Sequence, residues 1–407
     1  MADNAAIPEP ITITFLKFTP YFTYMLYFIY IILTHVKINN KGSFEMIYLD
    51  NASTTIPDNE VLSVYQDVQR EAFYNGESLH IGGQHTNQLL ESCKQYIKKY
   101  FETDKEVIFT RSGSHANEIA IRSYLEYQER GTILVSPYEH PSIHAALEMY
   151  KSKFEILDLP LDGNGEIDVE RTTKLVMDEV VLIIAQHVNS ETGYILPIND
   201  LSNIAMENHI PIHVDGVQAV HKLEDINVQL FTSYAFSSHK FHGTKGSGSL
   251  LINHEYVKPL NDYYFHEMNT QNGTIDSPSI VAMTKALSID DDINHMKKMK
   301  QYLLNQAVEL RFTPIVYNVE APHILALLSP KFEGQYIMQY LSNRNICIST
   351  GTACGHGALL SYGLQVKIDT IAEKTYDQYI RFSISKYTTK ADIDNCFEHL
   401  KTILRGD

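Results

Sequence analysis

Runs of apolar residues alternate with amphipathic stretches along most of the chain. Short continuous apolar runs, of the length of strands, lie at 107–110, 132–135, 180–185, 210–214 and 234–236. Helices are predicted before or between them, at about 86–100, from about residue 115, from about residue 141 and at about 198–208. Apolar strands that alternate with helices are typical of a mostly parallel sheet covered by helices on both faces. The pattern therefore predicts an α/β fold.

The pattern changes towards the C-terminus. A long helical stretch at about 279–311 leads into shorter strands and helices, and a turn-rich loop is predicted earlier, at 75–83. A chain of 407 residues is long for one core. We expect an N-terminal arm at 46–60, a large domain at 61–290 and a smaller α+β domain at 291–407.

The first 45 residues do not follow this alternation. Residues 18–36 carry no formal charge, and 21–33 are apolar and aromatic, which is borderline for a membrane span of about 20 residues. The codons for Lys41-Gly42-Ser43 could form a bacterial ribosome-binding site just before Met46. We expect translation to begin at Met46 and residues 1–45 to be an over-extended reading frame, with a membrane anchor as the alternative.

Composition narrows the function classes. The net charge is −16 and the basic residues are scattered, which argues against direct nucleic-acid binding. The cysteines show neither metal-binding spacing nor a paired framework, so we expect no metal site and a reduced, cytoplasmic setting. They are Cys93, Cys347, Cys354 and Cys396.

Polar residues that could carry chemistry follow the predicted strands, and ligands bind at the carboxyl ends of such strands. Gly113 and Ser114 lie in a small-residue turn at a helix start, where free backbone N–H groups favour a phosphate. His140 follows the next strand and could stack on a flat ring. Asp215 ends a buried strand, where an unpaired carboxylate is costly, so a cationic partner such as a pyridinium nitrogen is expected.

Lys240 is the most informative of these residues. It follows a strand and precedes a glycine-rich turn, and desolvation there would lower its pKa and make it a nucleophile towards an aldehyde. Ser237 and His239 could donate hydrogen bonds to an anion beside it. We therefore predict that Lys240 carries pyridoxal phosphate as a Schiff base.

These motifs resemble the class V aminotransferase group of fold-type I pyridoxal-phosphate enzymes, and most closely the cysteine desulfurases of the nitrogen-fixation and iron–sulfur type. The resemblance runs from residue 46 to the C-terminus. It rests on Tyr48-Leu49-Asp50-Asn51-Ala52, Ser78-Leu79-His80, Phe109-Thr110, Gly113, Glu139-His140, Glu191-Thr192-Gly193, His213-Val214-Asp215, Gln218 and the segment from Phe236 to Gly246.

The resemblance implies a large domain with a mostly parallel seven-stranded sheet and a role for each site residue. Lys240 is the Schiff-base lysine, Asp215 pairs with the pyridinium, and Gln218 contacts the phenolic oxygen together with Asn189 or Ser190. The phosphate is held by Gly113, Ser114, Ser237 and His239. His140 stacks on the ring and shuttles protons.

The C-terminal motifs imply the reaction. Cys354, in a glycine-rich stretch at 348–357, resembles the cysteine of the family's Ser-Gly-Ser-Ala-Cys motif, which accepts sulfur as a persulfide. Arg381 matches the arginine that binds the carboxylate of L-cysteine. Thr274 matches a threonine that reaches the phosphate of the partner subunit, which implies a homodimer. The expected sulfur acceptor is an iron–sulfur scaffold or a tRNA-thiolating protein.

The sequence also departs from the family pattern. The usual Asn-Asn-Glu reads Asn189-Ser190-Glu191, and the usual Thr-Glu-Ala-Asn begins Ser114-His115. The usual Arg-Ser-Gly-Thr begins with Gln271, and the glycine-rich stretch before it reads Phe265-His266-Glu267-Met268-Asn269. Two alternatives therefore stay open. One is another reaction of this fold, such as a selenocysteine or cysteine-sulfinate lyase or an aminotransferase. The other is a non-catalytic paralogue that binds sulfur-transfer proteins.

Overall fold

The computed structural model describes residues 46–176, 179–351, 360–371 and 375–405. The predictions for residues 1–45 and for Cys354 lie outside these ranges. No helix in the described ranges is long and apolar enough to cross a membrane. The chain from Met46 onwards forms one compact unit.

Helices cover the sheets and connect most of the strands. They are α1 (Asn59–Glu71), α2 (Ile81–Tyr100), α3 (Gly113–Leu125), α4 (Pro141–Glu148), α5 (Val169–Leu175), α6 (Ile198–Glu207), α7 (Ser277–Leu287), α8 (Ile293–Glu309), α9 (Gly334–Ser342), α10 (Tyr362–Asp369) and α11 (Lys390–Arg405).

The strands are short and mostly buried. They are β1 (Ile47–Tyr48), β2 (Glu106–Thr110), β3 (Gly131–Val135), β4 (Phe154–Asp158), β5 (Val180–Gln186), β6 (Ile212–Asp215), β7 (Ser233–Ser237), β8 (Gly248–Ile252), β9 (Thr313–Pro314), β10 (Ile324–Leu328), β11 (Ile346–Cys347) and β12 (Tyr379–Ser383).

The predicted α/β fold with a seven-stranded sheet is confirmed. Its strand order is β2-β8-β7-β6-β5-β3-β4. β8 runs antiparallel to both of its neighbours, and the other pairings are parallel. Apolar side chains of β3, β5 and β6 are buried on both faces, which explains why these strands read as continuous apolar runs.

A smaller antiparallel sheet follows in the order β12-β10-β9. It packs with α8, α9 and α11 around a separate apolar cluster that includes Leu303, Leu327 and Phe382. The long helical stretch predicted at 279–311 is two helices, because Asp292 caps the second by accepting a hydrogen bond from His295 N at 2.8 Å. The small α+β domain is thus present, while its boundary at residue 291 stays a prediction.

The predicted boundary between the loop at 75–83 and the helix at 86–100 was wrong. Helix α2 begins at Ile81, because the His80 side chain caps it by accepting from Gly83 N at 3.2 Å. A Cβ added to Gly83 would lie 2.1 Å from Ser78 O. The glycine therefore lies inside the helix, not in a turn, and its missing side chain lets the backbone of Ser78 pack against it.

Candidate active site

A cavity of about 410 Å³ lies at the carboxyl ends of β5, β6 and β7. Parallel strands bring their ends to one edge of the sheet, so residues far apart in sequence meet there. Most of the predicted site residues line this cavity. They are Gly113, Ser114, His140, Ser190, Asp215, Gln218, Ser237, His239, Lys240 and Arg381.

Lys240 lies in a short 3₁₀ turn directly after β7. Its Nζ donates to Ala52 O at 2.5 Å and to Ser53 O at 2.9 Å, and both acceptors belong to the N-terminal arm. Burial and, to a smaller extent, the nearby Arg381 charge lower the pKa of Lys240 to about 8, against the opposing effects of Asp215 and Asp50. The amine is therefore much easier to deprotonate than an ordinary lysine.

Asp215 is 6% exposed and is held by two donors. Its Oδ2 accepts from Asn117 Nδ2 at 2.7 Å, and its Oδ1 accepts from the backbone N–H of Val217 at 3.0 Å. Both oxygens are thereby fixed in place. The carboxylate remains available to a cation that enters the cavity, because an ionised carboxylate has about four acceptor positions.

A chain of hydrogen bonds stands behind Asp215. Asn117 donates to the carboxylate, so its Oδ1 accepts from His213 Nε2 at 3.0 Å. Burial lowers the pKa of His213 to about 3, so the ring is neutral and its Nδ1 accepts from Ser233 Oγ at 2.7 Å. Ser233 in turn accepts from the Tyr124 hydroxyl at 2.9 Å. All four donors point towards Asp215, which stabilises its charged form.

Asn117 was not predicted as a site residue, although it lines the cavity. The signal was present, because Asn117 lies one helical turn after the predicted phosphate turn and so faces the same strand ends. Its hydrogen bond to Asp215 and its contact of 3.1 Å with Ser142 Oγ join α3 to the site.

The turn at the start of α3 is suited to an anion. Ser112 caps the helix by accepting from His115 N at 3.1 Å, and the first-turn N–H groups at Gly113 and Ser114 have no intrahelical acceptor. A Cβ added to Gly113 would lie 2.5 Å from Val217 Cγ2 and 3.3 Å from Ser237 Cβ. Only glycine therefore lets the turn lie this close to the strand ends.

Burial favours the neutral form of both histidines that line the cavity. Burial lowers the pKa of His239 to about 4, and its Nδ1 is 3.1 Å from Thr54 Oγ1. Desolvation by the surrounding protein also lowers the pKa of His140, which caps α4 and accepts from Ser142 N at 3.1 Å through Nδ1. That bond leaves the His140 proton on Nε2.

Arg381 lies on β12 of the small sheet and also lines the cavity. One terminal nitrogen donates to Ser190 O at 2.7 Å, and the other donates to Asp50 Oδ1 at 2.7 Å and to Ser53 Oγ at 3.0 Å. The residue is 8% exposed, and its buried Nε has no partner among the described residues. The guanidinium is thus held by groups from two other parts of the chain.

Two of the predicted residues that the structure describes are not brought to the cavity. Asn189 is 1% exposed and its amide closes a turn instead: Nδ2 donates to Tyr138 O, and Oδ1 accepts from Glu191 N and from both N and Oγ1 of Thr192. Thr274 lines a neighbouring cavity of about 330 Å³, so its contact across a homodimer stays a prediction. Cys354 lies outside the described residues.

Comparison with known proteins identifies the family. The profile described as aminotransferase class-V matches residues 47–396. The chain belongs to this family. A putative cysteine desulfurase NifS of Bacillus subtilis (strain 168) is 31% identical over 379 residues, which cover 88% of this chain and 94% of that protein. The cysteine desulfurase NifS of Azotobacter vinelandii is 29% identical, with 88% and 92% covered.

Solved structures agree with this assignment. A NifS-like protein superposes with a TM-score of 0.79 at 25% identity, over 88% of this chain and 99% of that one. The fold of the Escherichia coli cysteine desulfurase CsdA also matches, with a TM-score of 0.73 at 20% identity and with 88% and 95% covered. The predicted resemblance to cysteine desulfurases is confirmed, and so is the prediction of a pyridoxal-phosphate enzyme.

The class-V cofactor fits the residues of the cavity. Asp215 offers a buried carboxylate to the ring nitrogen, and the first turn of α3 offers N–H groups to the phosphate. Lys240 offers an amine of lowered pKa to the aldehyde. Each anchor comes from a different strand end, as expected for a flat ligand lying across the sheet edge.

The lowered pKa of Lys240 predicts how cofactor loading depends on pH. Only the neutral amine attacks an aldehyde, so the rate at which the apoprotein captures pyridoxal phosphate should rise up to about pH 8 and then level off. An ordinary lysine would still gain neutral amine up to about pH 10.4. Stopped-flow absorbance across a pH series measures this rate, and a profile that keeps climbing to the higher value would contradict the role of burial.

Arg381 is expected to determine the affinity for the substrate carboxylate. A lysine at this position keeps the charge but loses the two-pronged geometry, so Arg381→Lys should raise KM by about tenfold to a hundredfold and change kcat less. Steady-state kinetics with L-cysteine measure both constants, with Arg344→Lys as an exposed control. A KM equal to that of the unaltered protein would rule out the carboxylate contact.

Proposed function

We propose that this class-V protein is a cysteine desulfurase that converts L-cysteine to L-alanine and keeps the sulfur as a persulfide on Cys354. The convergence of Lys240, Asp215 and Arg381 on one cavity carries this proposal. These side chains provide an amine for the cofactor, a carboxylate for its ring nitrogen and a guanidinium for an amino-acid carboxylate.

Each of these residues has its own role in the proposed reaction. The bound cofactor supplies an electron sink for the substrate α-carbon. Arg381 holds the substrate carboxylate, and Asp215 keeps the ring nitrogen protonated. Lys240 would hold the cofactor aldehyde and, as a free amine, would move the proton at the substrate Cα.

Sulfur transfer is the second half of the reaction. The Cys354 thiolate attacks the substrate Sγ, so an S–S bond forms as the Cβ–Sγ bond breaks, and the bonding electrons remain with the carbon skeleton. That skeleton takes up protons and leaves as L-alanine.

The flanks of the Cys354 segment support this assignment. On the N-terminal side, Ser349 N donates to Arg381 O at 3.1 Å and Arg381 N donates to Ser349 O at 2.8 Å. On the C-terminal side, Ser361 N donates to Glu191 Oε1 at 3.1 Å, next to Ser190 of the cavity wall. Both ends of the segment are therefore attached to residues beside the site.

The persulfide is passed on to an acceptor protein, an iron–sulfur scaffold or a tRNA-thiolating protein. We place the reaction in the cytoplasm, in keeping with the free thiols Cys93, Cys347 and Cys396, and we expect a homodimer joined near Thr274. With a net charge of −16, contact with tRNA is expected to fall to the partner protein.

Product analysis tests the proposal. Purified protein loaded with pyridoxal phosphate and given L-cysteine and a reductant should release sulfide and L-alanine in equal amounts. Without reductant, alkylation and peptide mass spectrometry should find one extra sulfur on Cys354. Pyruvate or a keto acid in place of alanine would favour another class-V reaction, and a protein that neither binds the cofactor nor turns over cysteine would favour a non-catalytic paralogue.

A further inference from the structure

The cavity wall contains a buried amide whose donor is unused. Gln186 ends β5, is 3% exposed and lines the cavity. Its Nε2 has no hydrogen-bond partner among the residues that the structure describes. Its backbone N donates to Glu139 Oε1 at 2.6 Å, which fixes the end of the strand. A buried amide donor is costly to leave unpaired, so a ligand atom is expected there.

The sheet places Gln186 on a particular side of Asp215. The strands β7, β6 and β5 are neighbours in that order, with Ser237 at the end of β7 and Asp215 at the end of β6. Gln186 is the register partner of Asp215 on β5. Gln186 therefore lies on the side of Asp215 away from Ser237, and Ser237 is next to the phosphate turn at Gly113.

The chemistry of the cofactor matches this arrangement. In pyridoxal phosphate the ring nitrogen and the aldehyde carbon are para to each other, and the phosphate arm and the phenolic oxygen occupy opposite edges of the ring. With the nitrogen at Asp215, the aldehyde at Lys240 and the phosphate at the Gly113 turn, the phenolic oxygen falls on the edge that faces β5. That oxygen is anionic in the bound cofactor and accepts hydrogen bonds strongly.

The other amides near this edge already have partners. Asn189 uses both ends of its amide to close its own turn. Gln218 donates through Nε2 to Ala52 O at 2.8 Å, and its Oε1 is 3.2 Å from His323 Nε2. Ser190 has a shorter side chain than the asparagine usual at its position. Gln186 is the cavity-lining amide with an unused donor in the described part of the chain.

We propose that Gln186 donates through Nε2 to the phenolic oxygen of bound pyridoxal phosphate and so takes over the contact that Ser190 is too short to make. This inference rests on the cofactor assignment of the proposed function. Gln186 is then a cofactor-binding residue. It also lowers the proton affinity of the phenolic oxygen, because a hydrogen bond to the charged form of a group favours that form.

Two substitutions test the role of the amide. Gln186→Leu removes the donor, and Gln186→Glu keeps the length and shape but replaces the donor with an acceptor. Both should weaken binding of pyridoxal phosphate by about tenfold or more, because a charge-assisted hydrogen bond is lost. Both should also move the midpoint of the pH titration of the visible cofactor band to higher pH. Gln301→Leu, an exposed glutamine on α8, is the matched control.

The outcomes separate this inference from the proposal that it rests on. Thermal melting of each apoprotein by circular dichroism shows whether the variant folds. Wild-type cofactor affinity and an unmoved band midpoint in the folded variants would overturn the role of Gln186 alone. An unaltered protein that binds no pyridoxal phosphate would instead overturn the cofactor assignment, and the inference with it.

Discussion

Lys240→Ala should abolish the release of sulfide and alanine from L-cysteine. Lys240 is the only lysine lining the cavity in the described part of the chain, so no neighbouring amine can replace it in holding the cofactor or moving the Cα proton. We expect the rate to fall by on the order of a thousandfold or more, because both nucleophile and proton carrier are lost. Lys245→Ala, at an exposed lysine in the next turn of the same loop, is the control.

The Lys240→Ala variant should still bind pyridoxal phosphate without a covalent bond. Asp215 and the turn at Gly113 do not depend on the lysine, so two of the three anchors remain. Absorbance should therefore show bound cofactor that borohydride no longer fixes to the protein. Turnover of cysteine at the unaltered rate would exclude Lys240 from the chemistry.

Cys354→Ala should remove persulfide formation and nearly all sulfide release while leaving cofactor binding unchanged. In the proposed mechanism the Cys354 thiolate attacks the substrate sulfur, so a methyl group at this position would leave the substrate Cβ–Sγ bond without a nucleophile. The expected cofactor anchors Asp215, Lys240 and the turn at Gly113 lie elsewhere in the sequence, so cofactor binding should not depend on this thiol. We expect a loss of on the order of a hundredfold or more.

Cys347→Ala is the matched control for this experiment. Cys347 is a half-buried thiol on β11, and burial raises its pKa, which keeps it in the unreactive protonated form. Sulfide release that survives in Cys354→Ala would mean that the carbon–sulfur bond breaks without a protein thiol. The chain would then be a lyase of the same family, and the persulfide mechanism would be wrong.

The strand ends explain how much of the site could be predicted. Asp215, Ser237 and Lys240 each follow an apolar run, and a parallel sheet brings such positions to one edge whatever the details of packing. Their convergence therefore followed from the hydrophobic pattern alone.

The partners of those residues could not be predicted in the same way. Asp50 and Arg381 are 331 residues apart and meet only because β12 lies beside the arm. Asn189 resembles a cofactor contact in sequence, but a turn uses its amide. Gln186 stands in an apolar run and gave no signal of its own, because an unused donor is visible only when every neighbour has been placed.

The N-terminal arm has a consequence for how the protein is made. Asn51 Nδ2 donates to Ser383 O at 2.9 Å, and Arg381 binds Asp50, so residues near the start of the described chain depend on partners that are synthesised more than 300 residues later. Every strand of the large sheet, and with them Asp215 and Lys240, is synthesised before β12. The residues expected to hold the cofactor are therefore all present in a growing chain before the arginine that is expected to hold the substrate carboxylate.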